Sequence, residues 1–176
     1  MTDCPVALIT GGGSGIGAAT ARRLLALGRR VTVTGRDEGR LRRFARSLGD
    51  PDGLPTIPAD ASDYDAVRSA VESTVREFGR LDTAVANAGF STHDTLADGD
   101  PAAWREMVLM VTGDGVGVTL IAPGRVKTPF WDGRGALPEG DLLTSDQIAD
   151  AVVWAVGQPD GVDVNTVVVR PLGQPH

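Results

Sequence analysis

Apolar residues follow two alternating patterns along the chain: short continuous runs and positions at helical spacing. The first run covers residues 6–9, reads Val-Ala-Leu-Ile, and is typical of a parallel strand that is covered on both faces. Between residues 16 and 27 the apolar positions fall at helical spacing instead, and Gly28 follows as a typical C-terminal stop. The pattern therefore predicts a strand, a glycine-rich turn and a helix.

The same alternation continues to the C-terminal part of the chain. Further strands are predicted at residues 31–34, 56–59, 81–86, 116–122 and 164–169, and further helices at 37–48, 63–78, 101–110 and from 144 or 145 to about 157. Strands that alternate with helices favour an α/β fold with a parallel sheet and helices on both of its faces. We expect residues 1–176 to form one such domain.

The turn after the first strand is rich in glycine. Residues 10–17 read Thr-Gly-Gly-Gly-Ser-Gly-Ile-Gly. Glycines allow the backbone to approach a pyrophosphate closely, and the start of the following helix offers free N–H donors and a partial positive charge. The position of this loop predicts a Rossmann-type, doubly wound domain that binds a dinucleotide, whereas a tight turn without a ligand is the alternative.

Composition excludes several other functions. The net charge is −6 and the pI is about 4.8, which argues against a nucleic-acid partner. Cys4 is the only cysteine and the two histidines form no ligand-spaced cluster, so we expect neither a disulfide nor a metal site. The chain shows no signal peptide and no apolar run of membrane-spanning length, so we expect a cytoplasmic protein without a membrane partner.

Three further stretches occur in a characteristic order after the glycine loop. They read Asp-Ala-Ser-Asp at 60–63, Asn-Ala-Gly at 87–89 and Pro-Gly-Arg-Val-Lys-Thr at 123–128. In order and spacing the four motifs resemble those of the short-chain dehydrogenase/reductase family. The resemblance implies an oxidoreductase that transfers a hydride between a nicotinamide cofactor and a small carbonyl or secondary alcohol substrate. It also implies a homodimer or homotetramer.

The resemblance assigns a cofactor contact to each motif. It implies that the pyrophosphate is held by the glycine loop, the adenine by the Asp-Ala pair, the floor of the site by Asn-Ala-Gly, and the nicotinamide end by the Pro-Gly loop. The residues concerned are Gly11, Gly13, Ser14, Gly15, Ile16, Gly17, Asp60, Ala61, Asn87, Ala88, Gly89, Pro123, Gly124 and Thr128.

The end of the second strand indicates which cofactor is bound. An NAD-specific site has a carboxylate there for the ribose 2′-hydroxyl. This chain has Arg36 at that place and no acid before Asp37. A guanidinium suits the 2′-phosphate of NADP by charge and geometry. We therefore predict NADP rather than NAD, although Arg36 as a solvated loop charge is the alternative.

The catalytic residues of the family have no counterpart here. The family uses an Asn, a Ser, and a Tyr followed four residues later by a Lys, whose charge lowers the Tyr pKa. This chain has one tyrosine, Tyr64, and one lysine, Lys127. Tyr64 and Arg68 have the right spacing but lie on the third predicted helix, so we interpret them as surface residues. His93 is interpreted as a solvated loop residue. No catalytic residue is predicted.

The missing residues correspond to one block of the family's chain. Residues 104–109 resemble the start of the family's fourth helix, and residues 111–123 resemble the end of its fifth helix and its sixth strand. About 60 residues, including the central strand five, have no counterpart near Leu109 and Met110, an amount equal to two βαβ connections. We favour an incomplete version of a longer enzyme. If the chain is truly this short, a non-catalytic NADP-binding sensor or subunit is the alternative.

The Pro-Gly loop is followed by apolar residues. Phe130, Trp131 and Leu137 lie where the resemblance places a substrate-binding cover. Apolar side chains in a Gly/Pro-rich loop also fit a subunit contact, and both interpretations stay open.

Overall fold

The computed structural model describes residues 4–89, 116–132 and 140–174. In chain order the elements are β1 (Val6–Thr10), α1 (Gly15–Ala26), β2 (Arg30–Gly35), α2 (Glu38–Ser47), β3 (Thr56–Pro58), α3 (Tyr64–Phe78), β4 (Thr83–Val85), β5 (Leu120–Pro123), β6 (Val126–Lys127), a 3-10 helix (Pro129–Trp131), β7 (Leu143–Thr144), α4 (Ser145–Val156) and β8 (Thr166–Val169). This alternation is a Rossmann-like α/β fold, as the sequence predicts.

The first four strands form a parallel sheet in the order β3-β2-β1-β4. β1 pairs with β2 on one side, from Val6 opposite Arg30 to Thr10 opposite Thr34, and with β4 on the other. The strand order therefore reverses at β1. In open α/β sheets, ligands bind outside the carboxyl ends of the strands at such a reversal. The glycine loop that follows β1 occupies this place.

One face of the sheet carries the hydrophobic core. Ala7, Ile9, Val31 and Val33 alternate along β1 and β2 and are fully buried. They pack with buried residues of the two neighbouring helices, namely Ala18, Ala21 and Leu24 of α1 and Leu41, Phe44 and Ala45 of α2. Leu41, Phe44 and Ala45 thus form the inward face of α2, and Leu48 is partly buried against the same core.

The C-terminal strands join the domain through helix packing. β5 pairs in parallel with β8, and among the described residues neither strand is hydrogen-bonded to the four-stranded sheet. Instead α4 packs on α1: Arg23 Nε lies 2.7 Å from Asp150 Oδ1, and Val153 and Val156 contact the core.

Several predicted boundaries shift in the structure. The strand predicted at 116–122 begins at Leu120, because pairing starts only where Leu120 meets Thr166 of β8. For the same reason the last strand begins at Thr166 rather than at residue 164. The helix predicted at 101–110, His93, Leu137 and the junction at Leu109 and Met110 lie outside the described residues. No helix within the described ranges has the length and apolar character needed to cross a membrane.

Asp82 links the beginning of β1 to the segment before β4. Its Oδ2 accepts a hydrogen bond from Val6 N at 2.8 Å, and its Oδ1 accepts from Arg80 Nε at 3.0 Å. Partial burial raises the pKa of Asp82, but the bonds from Arg80 and Val6 outweigh it and leave the pKa below the usual value. A lowered folded-state pKa gives stability that is present above the unfolded pKa of about 4 and is lost as pH falls through the folded value.

We therefore predict that Asp82→Asn lowers the free energy of unfolding at pH 7 by about 1 kcal/mol. The variant also loses less stability than the parent between pH 5 and pH 2, because its side chain carries no charge. Urea unfolding at both pH values measures the effect, with Asp52→Asn in an exposed loop as control. An unchanged pH dependence would contradict the assigned role of this carboxylate.

Candidate cofactor site

The glycine loop between β1 and α1 requires glycine for conformation and for space. Gly11 and Gly15 have φ values of +65° and +55°, in the left-handed region that side chains disfavour. Gly12 has no space for a side chain, because a Cβ there would lie 2.5 Å from Val33 Cγ1. The loop therefore lies directly on β2, and a side chain at position 12 would displace it from that strand.

The first turn of α1 is held against two other segments at Gly17. A Cβ on Gly17 would lie 2.6 Å from the Gly11 carbonyl oxygen and 2.6 Å from Asn87 Nδ2. The glycine loop, the start of α1 and the segment after β4 thus meet at one point. Any larger residue at position 17 separates them.

Thr10 and Asn87 connect the ends of β1 and β4 by hydrogen bonds. Thr10 Oγ1 accepts from Asn87 N at 3.1 Å and from Ala88 N at 3.0 Å. The Asn87 side chain donates in return to the carbonyl oxygens of Thr10, at 2.9 Å, and Gly11, at 3.3 Å. Sequence reasoning placed Asn87 in the floor of the site. In the structure its amide holds the glycine loop, and Thr10 acts with it, a role that the motif itself does not reveal.

The N-terminus of α1 differs from those of the other α-helices described. The side chains of Asp37, Asp63 and Thr144 cap α2, α3 and α4. The N-cap residue of α1 is Ser14, whose side chain accepts no capping hydrogen bond, and the first turn of α1 has no acidic residue. Its first N–H groups and the positive end of its dipole are therefore available to an anion. A pyrophosphate fits this place.

Two charged residues approach each other at the carboxyl ends of β2 and β3. Asp60 Oδ1 accepts from Ser62 N at 3.0 Å and from Ser62 Oγ at 2.8 Å. These bonds, and to a smaller extent the positive charge of Arg36, hold the pKa of Asp60 below its usual value. Arg36 and Asp60, predicted for the adenosine half of the cofactor, are thus brought into one electrostatic neighbourhood. Ala61 is exposed beside them.

The Pro-Gly loop approaches the glycine loop from the C-terminal part of the chain. A Cβ on Gly15 would lie 3.5 Å from Thr128 Cβ, so Thr128 is in contact range of the glycine loop. Thr128 Oγ1 also accepts from Phe130 N at 3.3 Å and starts the 3-10 helix. Trp131 Nε1 donates to Val126 O at 2.9 Å, which fixes its indole ring beside Phe130.

Gly124 has a different environment from Thr128. A Cβ on Gly124 would lie 2.5 Å from Gln174 Oε1 and 3.0 Å from Arg170 Cγ. The Gly124 N–H donates to Val169 O at 2.7 Å. Gly124 therefore allows the end of β5 to pack closely against the segment after β8.

The described residues contain no acid–base pair suited to the family's proton transfer. The Tyr64 side chain is 78% exposed at the start of α3, and Arg68 pairs with Glu72 at 2.9 Å. Both are surface residues, as the sequence indicates. Lys127 is exposed on β6. Within residues 4–89, 116–132 and 140–174, no group of His, Cys, Asp and Glu side chains is arranged to hold a metal ion.

Comparison with known sequences defines the family. The sequence pattern described as short chain dehydrogenase matches residues 5–113, more than half of the chain. The chain therefore belongs to the short chain dehydrogenase family. The match ends close to the predicted junction.

Two uncharacterized oxidoreductases are similar to this chain along almost their whole length. An uncharacterized oxidoreductase of Staphylococcus saprophyticus is 29% identical, with 95% of this chain and 97% of the relative covered. One of Staphylococcus epidermidis is 27% identical over the same shares. The first alignment runs over 233 residues although this chain has 176. Because both proteins are covered nearly end to end, the relative's unmatched residues lie inside the alignment.

Solved structures show the same fold. The closed form of a serine dehydrogenase complexed with NADP+ superposes with a TM-score of 0.82 at 22% identity, covering 97% of this chain and 96% of that one. A 3-ketoacyl-(acyl-carrier-protein) reductase from Brucella melitensis, complexed with NADH, gives 0.75 at 21% identity, covering 94% and 96%. The chain therefore shares the Rossmann-like α/β fold of these structures.

We predict that Gly17→Ala abolishes the rise in melting temperature that a nicotinamide cofactor causes, because the added methyl group separates α1 from the glycine loop. Thermal unfolding with and without NADPH or NADH measures this loss. Circular dichroism at 20 °C checks that the variant is folded. Gly53→Ala serves as control, since a Cβ there has only Leu25 Cδ2 nearby, at 3.9 Å. A cofactor-dependent shift of parental size in the Gly17 variant would refute the assigned contact.

Proposed function

We propose that this protein binds NADP(H) and is an oxidoreductase that transfers a hydride between the nicotinamide ring and a carbonyl or secondary alcohol substrate. The observation that carries the proposal is the uncapped N-terminus of α1 beneath the glycine loop, with Arg36 at the adenosine end of the same sheet edge. Family membership supports the reaction class, and the site residues support the dinucleotide.

The choice of NADP over NAD rests on the orientation of Asp37. Asp37 is the first acid after β2, and its Oδ1 accepts from Arg40 N at 2.9 Å to cap α2. That hydrogen bond, together with the charges of Arg43 and Arg40, holds the pKa of Asp37 below its usual value. The Asp37 carboxylate is thus ionised and hydrogen-bonded to the N-terminus of α2, while Arg36 is exposed next to it. This arrangement favours a 2′-phosphate over a 2′-hydroxyl.

The residues present fit the cofactor at several points. In this proposal the N–H groups at the start of α1 hold the pyrophosphate, Arg36 the 2′-phosphate, and Asp60 with Ala61 the adenine. Asn87 to Gly89 line the floor, and Pro123, Gly124 and Thr128 form the nicotinamide end. When bound, the cofactor supplies the hydride. The family's catalytic Asn, Ser, Tyr and Lys would come from the block that has no counterpart near Leu109 and Met110.

A second candidate function follows from Tyr64. It is the sole tyrosine of the chain, and it stands exposed on α3 rather than beside Thr128. A 176-residue protein with this site and no proton donor would be a non-catalytic NADP-binding sensor or subunit.

Intact mass combined with turnover separates the two candidates. We expect protein from the native source to have a mass several kilodaltons above 18.3 kDa and to oxidise NADPH with members of an aldehyde and ketone panel. A mass of 18.3 kDa with NADPH binding but no turnover would establish the binding module. If no cofactor raises the melting temperature, both candidates fail.

We predict that the protein binds NADPH at least tenfold more tightly than NADH. In Arg36→Ala we expect this preference to fall about tenfold, because the substitution weakens the binding of NADPH and not that of NADH. Quenching or enhancement of reduced-nicotinamide fluorescence gives both dissociation constants. Arg76→Ala, an exposed arginine in the last turn of α3, is the control for a general change in charge. Tighter NADH binding by the parent protein would overturn the assignment.

We also infer a homodimer or homotetramer in the cytoplasm, without a nucleic-acid or membrane partner. The family resemblance supports the oligomer, and the net charge of −6 supports the absence of nucleic acid. Light scattering coupled to size exclusion tests the oligomeric state.

A further inference from the structure

Thr128 reaches the glycine loop without being locked there by close packing. A Cβ on Gly15 would lie 3.5 Å from Thr128 Cβ and 4.0 Å from Pro129 Cδ, which are ordinary contact distances, so the glycine itself leaves a narrow gap. Beside this gap Gly15, Pro129 and Ser145 line a cavity of about 360 Å³. The distance of Thr128 from the start of α1 is therefore determined by contacts elsewhere in the fold.

A continuous set of hydrogen bonds joins Thr128 to α4. Thr128 follows β6 directly, and β6 pairs in parallel with β7, where Lys127 lies opposite Thr144. Thr144 in turn caps α4. Its N–H donates to Gln147 Oε1 at 2.8 Å, and its hydroxyl oxygen accepts from Gln147 N at 3.2 Å. The position of Thr128 therefore follows the position of the first turn of α4.

Apolar contact holds α4 on α1 but defines the relative position of the two helices weakly. Val153 and Val156 of α4 pack against the core cluster, whose members on α1 are Ala18, Ala21 and Leu24. Alanine side chains form shallow ridges on a helix, and apolar burial has no preferred direction. A small slide of α4 along α1 therefore loses little apolar contact.

A directed ion pair joins the same two helices. Arg23 Nε lies 2.7 Å from Asp150 Oδ1, and Arg23 Nη2 donates to Asp150 Oδ2 at 3.1 Å. Two guanidinium nitrogens thus face two carboxylate oxygens, and this arrangement depends on geometry as well as on charge. A slide of either helix along the other separates the two groups, so the pair resists the motion that the apolar contact allows.

Other polar contacts of α4 with this part of the chain are longer. Asp146 Oδ1 lies 3.9 Å from Arg23 Nη2, which is beyond hydrogen-bond distance. Near the last turn of α4, Arg29 Nη2 donates to Val156 O at 3.4 Å. Of these contacts, the one between Arg23 and Asp150 is the shortest, and it lies in the middle of α4.

We propose that Arg23 and Asp150 are positioning residues for the nicotinamide end of the cofactor site. Their ion pair fixes the place of α4 along α1, and the cap of α4 and the pairing of β7 with β6 transmit that place to Thr128. Thr128 is thereby held opposite Gly15, where the nicotinamide end of a dinucleotide on the glycine loop meets it. The inference rests on the proposed dinucleotide binding, in which neither Arg23 nor Asp150 touches the cofactor.

The exposure of the ion pair limits the size of the expected effect. The Arg23 side chain is 33% exposed and that of Asp150 is 65% exposed, so solvent screens the pair and its loss changes an equilibrium constant by about fivefold at most. Apolar packing keeps α4 on α1 in that case, whereas Thr128 loses its fixed position. A ligand confined to the adenosine half of the site does not reach Thr128, so we expect its binding to be unaffected.

The test compares Arg23→Ala, Asp150→Ala and the double variant with Asp160→Ala, which removes a carboxylate from the exposed turn after α4. Calorimetry gives dissociation constants for NADPH and for 2′,5′-ADP, which lacks the nicotinamide half. We expect each single variant to bind NADPH about fivefold more weakly and the double variant no more weakly than either, because both substitutions remove the same contact. All variants should bind 2′,5′-ADP within twofold of the parent, and Asp160→Ala should bind both ligands as the parent does.

Two additions keep the comparison decisive. Melting temperatures without ligand show whether each variant is folded, and Asp150→Asn, which keeps the shape of the side chain and removes its charge, takes the place of Asp150→Ala if that variant is unfolded. For a parent protein that prefers NADH, the same comparison uses NADH and ADP.

Each other outcome overturns a definite statement. If the folded variants lose NADPH and 2′,5′-ADP equally, the ion pair supports α1 as a whole and the positioning role is wrong. If the losses of the two single variants add in the double variant, the two residues act independently and their pairing is not the cause. Unchanged NADPH binding in every variant means that apolar packing alone positions Thr128, while the proposed function stands. If the parent binds neither dinucleotide, the proposed function fails and this inference fails with it.

Discussion

The contact between the first turn of α1 and the segment after β4 determines the geometry of the whole site. At this point the Gly11 carbonyl oxygen and the Asn87 amide approach Gly17 closely. A Cβ atom on Gly17 would lie 2.6 Å from each of them, so no side chain fits there. The amide and hydroxyl groups of Asn87 and Thr10 satisfy backbone groups that the ends of β1 and β4 would otherwise leave unpaired. Four hydrogen bonds and the close approach at Gly17 therefore hold the ends of β1 and β4 and the start of α1 together. Substitution in the remote core changes stability, whereas substitution here changes the position of the helix end itself.

The fold could be predicted because its signals are local. Residues 6–9 and 31–34 form continuous apolar runs since their strands are covered on both faces, and the glycine loop follows the first of them directly. The same reasoning places α2, whose buried residues Leu41, Phe44 and Ala45 recur at helical spacing. The limits of β5 and β8 were less predictable, because a strand begins where its partner begins, and that partner lies more than 40 residues away.

The site could be predicted by residue identity but less well by side-chain direction. The sequence shows that Asp37 is the first acid after β2, but it does not show that its carboxylate turns to cap α2. It indicates Asn87 as a site residue, but not that the amide faces the backbone of a loop 76 residues earlier. Gly124 belongs to a recognisable motif, and its contacts with Gln174 and Arg170 depend on how the C-terminal segment packs. Side-chain direction depends on partners distant in sequence, so spacing alone does not reveal it.

The attachment of the C-terminal strands through α4 has a consequence for how the chain acquires its structure. Within residues 4–89 each parallel pairing joins segments separated by one helical connection, except for the return of β4 to β1. The contact of α4 with α1, by contrast, joins residues 127 positions apart, as in the pair Arg23 and Asp150. Contacts between distant segments form late because closing the intervening chain costs more entropy. During synthesis the uncapped start of α1 can thus be complete before the ribosome has made α4, and the packing of α4 on α1 is among the last contacts of the domain to form.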